Sequence, residues 1–524
     1  MHAISRMRSP DYAGDAHYPD PGAGYELRDD EIIVDSFAGG GGVSTGFEMA
    51  LGISPHIAIN HNPIALGVHE ANHPETLHFV NDVFAVEPHD AVPAGKKVGV
   101  FWSSPDCRSF SRARGKAPVS EPVRDLAWVV IKWARAVRPR VICLENVPDF
   151  LKWGPVGANG IPIKKRMGET FHAWRSQLEA LGYQVDHKLF VAADYGAATT
   201  RRRLFLVARC DGLPIRWPQP THTKSQTGFF EGGLRPWLTG RDVLDFNEPV
   251  HSIFLSKEEG KLAGVKRPLV EKTMRRIARG MYIKVIENSE PCIVSYYGEK
   301  RLDDGFRGRG LNETLPPQTT ANHFGLVVPL THAGDDRVYG AGDTLRTITS
   351  AHRGEFGFVS PTIIQVGYGE REGQHPRVPG VTKPLGTMVA SGNKHAVITA
   401  HVGEATAPAP VLVDRSEEVA RFLWDYRRYA KGEVQLNSAG RLIYGGREMR
   451  IGDIGMRMIT PREMATSHGF PRSYHIDRTS AGRPLTLTEQ TSLLGNSVPP
   501  PMAAAIIAAN VRPPRPRPVL LKAA

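Results

Sequence analysis

The sequence predicts an α/β protein with a doubly wound, mostly parallel sheet and an inserted β-rich region. Three observations carry this. Short apolar runs alternate with segments of helical spacing from Glu31 onward. Glycine-rich or polar turns follow the carboxyl ends of several runs, where open sheets of this kind bind ligands. The alternation stops after Arg209 and resumes near Met456, with a long stretch of different texture between.

Residues 1–29 are rich in Gly, Pro, Asp and Tyr and lack periodicity, which predicts a flexible arm. Candidate strands follow at Ile32–Phe37, Ile57–Asn60, Val98–Trp102, Val141–Glu145, Gln184–Ala192 and Leu204–Ala208. Between the third and fourth, Val123, Leu126, Ala127, Val130, Ile131, Ala134 and Val137 keep helical spacing, and Pro139 ends that helix. Pro214–His222 is rich in Pro and Thr and marks an exit from the first domain. Residues 223–450 hold an internal similarity. Glu313–Thr319, Asp343–Thr349 and Lys383–Val389 each introduce a short apolar run, at Gly325–Val328, Gly357–Val359 and His395–Ile398. Leu315, Leu345 and Leu385 mark the period at intervals of 30 and 40 residues, which suggests stacked β-hairpin units. Chance recurrence of turn residues in a β-rich region is the competing reading. Lys266–Arg279 reads as a basic helix, either suited to phosphates or a solvated charged face. Arg457–Ala465 reads as a loop and helix start, and the chain ends in a basic, Pro-rich tail at 512–524.

At 524 residues and 41% hydrophobic composition, the chain has enough apolar material for one large core and a second domain. A net charge of +11 and a pI of about 9.4 favour a polyanionic partner. The four cysteines, Cys107, Cys143, Cys210 and Cys292, are too scattered for a disulfide framework, and no CxxC pair suggests zinc. A reducing, cytoplasmic setting is expected. The first 30 residues lack a signal-peptide pattern, and no apolar run approaches the roughly 20 residues of a membrane span.

The chemistry concentrates in three turns. Trp102–Ser111 places Cys107 among Ser, Asp and Arg directly after an apolar run, where a thiol can act as a nucleophile. Arg108, Arg112 and Arg114 are candidates to stabilise its thiolate, and Asp106 opposes them. Cys143, inside Val-Ile-Cys-Leu, reads as an inert core residue. Val141–Val147 delivers Glu145 at the end of a second run. Asp35-Ser-Phe-Ala-Gly-Gly-Gly-Gly follows a third, and its glycines let the backbone turn tightly against a ligand. No Lys-Ser/Thr follows them, which argues against an ATP-type phosphate loop.

Taken in order, these segments resemble the DNA cytosine-5 methyltransferase family, over Ile32–Arg209 and Met456–Met502. The resemblance implies an S-adenosylmethionine-dependent methyltransferase fold and S-adenosyl-L-methionine as the cofactor. It implies that Phe37 packs on the adenine, while Asp35, Ala38, Gly39 and Gly41 hold the amino-acid end. Asn60 stands where the family carries a ribose-gripping glutamate, so only an uncharged amide is offered there. Asp82 fits the position that reaches the adenine amino group. Cys107, Phe110 and Ser111 match the second half of the family's Pro-Cys-Gln-x-Phe-Ser loop, with Asp106 inserted after Pro105. Cys107 is then expected to add to C6 of cytosine, and Glu145 to protonate or hydrogen-bond N3. Arg201 and Arg203 land on the two arginines of Gly-Val-Pro-Gln-x-Arg-x-Arg, whereas Ala198 and Thr199 replace its Pro-Gln pair. Leu494–Pro500 resembles the tenth motif, with Asn496 and Val498 completing the cofactor pocket beside the N-terminal strand.

The resulting division is a catalytic domain at 30–222 and 451–511 with a target-recognition domain at 223–450. Turns at Thr319–His323, Thr347–Arg353 and Asn393–His395 are candidates to reach base edges. Double-stranded DNA is the expected partner of a monomeric chain, and a cognate restriction endonuclease is a possible further one. An RNA cytosine-5 methyltransferase and a catalytically silent DNA-binding relative are the alternatives.

Overall fold

The computed structural model describes residues 25–106, 125–157, 161–224, 233–245, 248–286, 292–294, 308–310, 327–329, 356–365, 385, 395–403 and 414–513. The chain divides into two compact units. One comprises Met1–Val243, Pro384–Asn393 and Thr460–Ala524, the other Leu244–Lys383 and Lys394–Ile459. The boundaries read from the sequence lie at 222/223 and 450/451.

The first unit is built on a seven-stranded sheet: β1 (Glu31–Ser36), β2 (Ile57–Asn60), β3 (Leu77–Val80), β4 (Lys97–Ser103), β5 (Val141–Asn146), β6 (Gln184–Val191) and β7 (Arg202–Arg209). Their spatial order is β3-β2-β1-β4-β5-β7-β6, and β7 alone runs against the rest. The fold class expected from the sequence is therefore the one observed. Both faces of the central strands are covered, so alternate residues feed two separate cores. Ile32, Val34, Phe101, Ile142 and Leu144 pack with Trp133 and Trp174 on one face. Ile33, Val100, Trp102, Val141 and Cys143 pack with Met502 and Ile506 on the other. Chain order reverses between β1 and β4, and open sheets of this kind bind ligands at the carboxyl ends of the strands at such a point.

Six of the seven strands coincide with the predicted runs. The seventh, β3, is a four-residue edge strand with an exposed Leu77 and Val80, so it carries no apolar alternation to detect. The predicted helix before Pro139 is seen at Trp128–Ala136. Helix α1 (Gly42–Leu51) follows the glycine turn directly. Against it lies the Ala-rich helix Pro500–Asn510, every residue of which is buried. The approach is close: a Cβ on Gly46 would stand 2.7 Å from that of Ala503. Just beyond, Leu27 N–H donates to Arg512 O at 3.0 Å and Arg512 N–H to Tyr25 O at 2.9 Å. The last segment thus completes the core of the first.

At the opposite end of the strands, Arg140 grips Glu31 with two hydrogen bonds of 2.8 and 2.7 Å and lies 3.4 Å from Asp211, all three nearly buried. Removing one member strands a buried charge. Arg140→Leu should lower the unfolding free energy by about 3–5 kcal/mol, read as a drop in the urea midpoint.

The second unit carries an antiparallel sheet in the order Val327–Pro329, Phe356–Gln365, His395–Gly403, Arg447–Met458, Leu442–Tyr444 and Val434–Leu436, with His251–Ser252 on Arg447–Met458. The three recurring apolar runs contribute to its first three strands. Two of the turns that introduce them, Glu313–Thr319 and Asp343–Thr349, lie outside the described residues. Leu385 of the third instead pairs with Thr199 in the first unit.

The basic helix is shorter than expected. It spans Glu271–Gly280, because Pro268 excludes Lys266 and Arg267 from helical geometry. Arg267 donates to Ser252 O at 2.8 Å and to His251 O at 3.0 Å, and Arg276 is 4% exposed. Two of its expected phosphate ligands therefore face inward. Arg447–Met458 is strand rather than loop up to Met458, and the first unit resumes at Thr460. There Thr460 and Glu463 form a reciprocal cap for the helix Pro461–His468.

Candidate active site

The glycine turn leaves β1 at Ser36 and bends through left-handed backbone at Phe37 (φ 66°), Gly39 (φ 42°) and Gly41 (φ 92°). Phe37 is a large side chain in a conformation that favours glycine, a strain that marks functional turns. Ala38 N–H donates to Ile59 O at 3.1 Å, which fastens the turn to β2. Side chains at the later glycines would collide with the surroundings. A Cβ on Gly41 would fall 1.9 Å from the Tyr474 hydroxyl, and one on Gly42 would fall 2.2 Å from Ser497 Oγ and 2.3 Å from Val498 O. Tyr474 also donates to Gly40 O at 2.8 Å. Val498 is therefore packed against the turn, while Asn496, the last residue of the helix Leu487–Asn496, is exposed.

Two neighbouring strand ends complete this edge. Asn60 accepts from Asn62 N–H at 2.9 Å, and Asn62 in turn caps helix α2 (Pro63–Asn72). One lone pair of the Asn60 amide oxygen is thus engaged in a turn, which leaves the other and the amino group to offer a ligand. Exposed Asp82 accepts from Phe84 N–H at 2.8 Å.

Asp35 is fully buried beneath the turn. Ser44 Oγ lies 2.9 Å from Asp35 Oδ2 and 2.8 Å from His69 Nε2, while Asp35 Oδ1 has no hydrogen-bond partner. Burial pushes this carboxyl up to about 7 from an ordinary 3.8, with the Ser44 bond opposing. The folded chain therefore holds a proton there that the unfolded chain loses. The associated stability is complete below about pH 4 and is lost as pH rises towards 7, by at most about 1.4 kcal/mol per unit. Urea titrations of Asp35→Asn and the parent at about pH 5 and 8 check it. The variant should gain roughly 2–3 kcal/mol relative to the parent across that span.

At the end of β5, Glu145 and Arg203 form an ion pair, Oε1 to Nε 2.9 Å, with side chains 8% and 9% exposed. Neither atom meets hydrogen-bond geometry, so the contact is a close charge pair without a shared hydrogen. Arg201, also buried, donates to Gly495 O at 3.1 Å. His468 lies nearby with both ring nitrogens unpartnered. Burial, then Arg201 and Arg203, hold it well below the ordinary histidine range, hence neutral. Asn146 Nδ2 donates to Pro105 O at 3.1 Å and fastens the exit of β4 beside Glu145. Cys107, Arg108, Arg112 and Arg114 lie outside the described residues. Cys143 is buried in the core, and its thiol is pushed up to about 12 by that burial.

The sequence model of the C-5 cytosine-specific DNA methylase family matches residues 32–289 and 381–512. The chain belongs to this family. It is similar to the Type II methyltransferase M.AquIA of Picosynechococcus sp., 25% identical over 225 residues, covering 41% of this chain and 89% of that protein. It is 29% identical over 226 residues to M.AgeI of Thalassovita gelatinovora, covering 40% of this chain and 49% of that protein. For M.XorII of Xanthomonas oryzae pv. oryzae the values are 30% over 197 residues, 36% and 43%. The chain thus spans most of the first relative and about half or less of the other two.

In this C-5 cytosine-specific DNA methylase family member, the structure brings Glu145, Arg201 and Arg203 to one end of β5 and β7. It brings Asp35, Phe37, Ala38, Gly39, Gly41 and Val498 to the glycine turn. Asn60 and Asp82 follow β2 and β3 on the same edge. Tyr474, Ser44, His69 and His468 were not anticipated. The spacing of His69 and His73 on one helical face was a signal for part of this set. Among the described residues no cluster suits a metal ion, and no helix is long and apolar enough to cross a membrane.

Proposed function

We propose that this chain is a DNA cytosine-5 methyltransferase, acting as a monomer on double-stranded DNA. The observation that carries the reading is the buried Glu145–Arg203 pair, joined through Asn146 to Pro105 at the entry to the cysteine segment. S-adenosyl-L-methionine fits the other half of the edge. An orphaned buried carboxylate oxygen, a left-handed Phe37 and a glycine crest crowded by Tyr474, Ser497 and Val498 form a cradle that side chains would close. Bound there, it would supply the methyl group.

Asp35, Phe37, Ala38, Gly39, Gly41, Asn60, Asp82, Asn496 and Val498 are the residues we assign to hold it. Cys107 adds as thiolate to C6 of the cytosine, which makes C5 an enamine-like nucleophile. Glu145 engages N3 as electrons move into the ring, and Arg201 and Arg203 fix the carboxylate and the base. After transfer, loss of the C5 proton and the thiolate restores the ring. Access to C6 requires the nucleotide to leave the duplex, at a cost of a few kcal/mol. We assign duplex recognition to the second unit, and the Type II designation of the relatives supports a modification role alongside a cognate restriction endonuclease.

Labelled S-adenosylmethionine incubated with 5-fluorocytosine DNA tests this. Fluorine cannot leave as a proton does, so an adduct surviving denaturant is expected. Absence of any adduct across varied sequences would overturn the reading.

A further inference from the structure

We propose that Asp35, Ser44, His69 and His78 form a proton path that couples the charge at the foot of the glycine turn to binding of the cationic methyl donor. His69 is its positioning residue. This rests on the assignment of S-adenosylmethionine to that turn. The four side chains come from β1, α1, α2 and β3 and are contiguous. Ser44 Oγ bridges Asp35 Oδ2 at 2.9 Å and His69 Nε2 at 2.8 Å, and His69 Nδ1 meets His78 Nε2 at 2.8 Å. Asp35, Ser44 and His69 are wholly buried, while His78 is half-buried at the outer end. Asp35 precedes the turn and Ser44 follows it, so the path brackets the backbone that would hold the donor.

Such a chain has two complete hydrogen-bond directions. With Asp35 ionised, His78 Nε2–H donates to His69 Nδ1, His69 Nε2–H to Ser44 and Ser44 O–H to Asp35. With Asp35 protonated every bond reverses. Passage from the second state to the first moves one proton across each link. Asp35 gives its proton to Ser44 and Ser44 gives its own to His69 Nε2. His69 releases the Nδ1 proton to His78 Nε2, and His78 releases its Nδ1 proton to solvent. The three carriers each gain and lose one, so the balance is one proton from Asp35 to water.

The surroundings leave the carriers neutral. His69 faces His73, ring centroids 4.6 Å apart, and His78, at 4.9 Å. His73 is occupied by Glu48 at 2.9 Å and the Tyr474 hydroxyl at 3.2 Å, while burial lowers His78 below the ordinary range, with Glu70 and a backbone hydrogen bond at Thr76 opposing. Burial, then the other histidines, hold His69 well below the ordinary range. Among the described residues Asp35 hydrogen-bonds only with Ser44 and, raised to about 7, is poised between its two states near neutral pH. A sulfonium cation placed over the turn favours the carboxylate. Binding should therefore release a proton, and affinity should rise as pH climbs through about 7.

Calorimetric titration of the full chain with S-adenosylmethionine, in two buffers of different ionisation enthalpy at about pH 7, counts released protons. About half a proton per site is expected from a carboxyl half-ionised at that pH, with distinctly less for the uncharged S-adenosylhomocysteine. Asp35→Asn should lose the linkage. Nitrogen-resolved NMR of the unaltered protein gives a second readout, in which His69 should gain Nε2–H character when S-adenosylmethionine is added. Binding without proton release, equal release in Asp35→Asn, or an unchanged His69 tautomer overturns the path alone. Failure of both ligands to bind overturns the methyl-donor assignment, and the path with it.

Discussion

Cys107→Ala should abolish the denaturant-resistant adduct and lower methyl transfer by at least about 10³-fold. The size follows from the substrate. C5 of cytosine is a poor nucleophile, and among the described residues no thiol stands on this edge to supply, in place of Cys107, the electron pair that makes it an enamine. Cys143 cannot substitute: it is 1% exposed and its thiol is pushed up to about 12 by burial, so it stays un-ionised. Cofactor and duplex binding should survive the change, because the glycine turn and the second unit are untouched. Filter binding beside a methyl-transfer assay separates the two effects. An alanine variant that still formed the adduct would move the nucleophile elsewhere.

Glu145→Gln is the second large effect, with turnover expected to fall about 10²–10⁴-fold. Glutamine keeps the shape and can accept a hydrogen bond through its oxygen, but it can neither carry a proton to N3 nor balance Arg203. Two consequences should appear together. The maximal rate should fall more than the apparent affinity for DNA if the carboxyl group acts, as proposed, in the reaction rather than in docking. Stability also falls, because a guanidinium 9% exposed is left without its counter-charge. Arg203→Leu should be destabilising for the mirror-image reason. A Glu145→Gln enzyme with unimpaired turnover would remove this residue from the chemistry.

Much of the first unit was legible in the sequence because its central strands are buried on both faces. Continuous runs such as Val-Ile-Cys-Leu have no other stable place to go. The same reasoning failed at Leu77–Val80, where an edge strand needs no such run. It overextended the basic helix, where Pro268 sets the start and Arg267 turns inward to backbone carbonyls. The site was partly legible. Strand ends announce Asp35, Asn60 and Glu145, since polar residues after apolar runs fall on one edge. What pairing they make there is a tertiary matter. Nothing local foretells that Arg203 meets Glu145, that the Asn60 oxygen accepts from Asn62, or that Tyr474 reaches Gly40 from far along the chain.

The seat of the helix Pro500–Asn510 against Gly46, with Arg512 paired to Tyr25 and Leu27, bears on how the molecule comes into being. A ribosome delivers the whole of the second unit before it delivers these residues. The nascent chain can finish its inserted domain while one face of the first sheet is still bare. Only after the inserted domain has been made does the late helix cover that face, and only then are Ser497 and Val498 brought onto the turn. The glycine turn is thereby left incomplete until the chain has been made as far as Arg512.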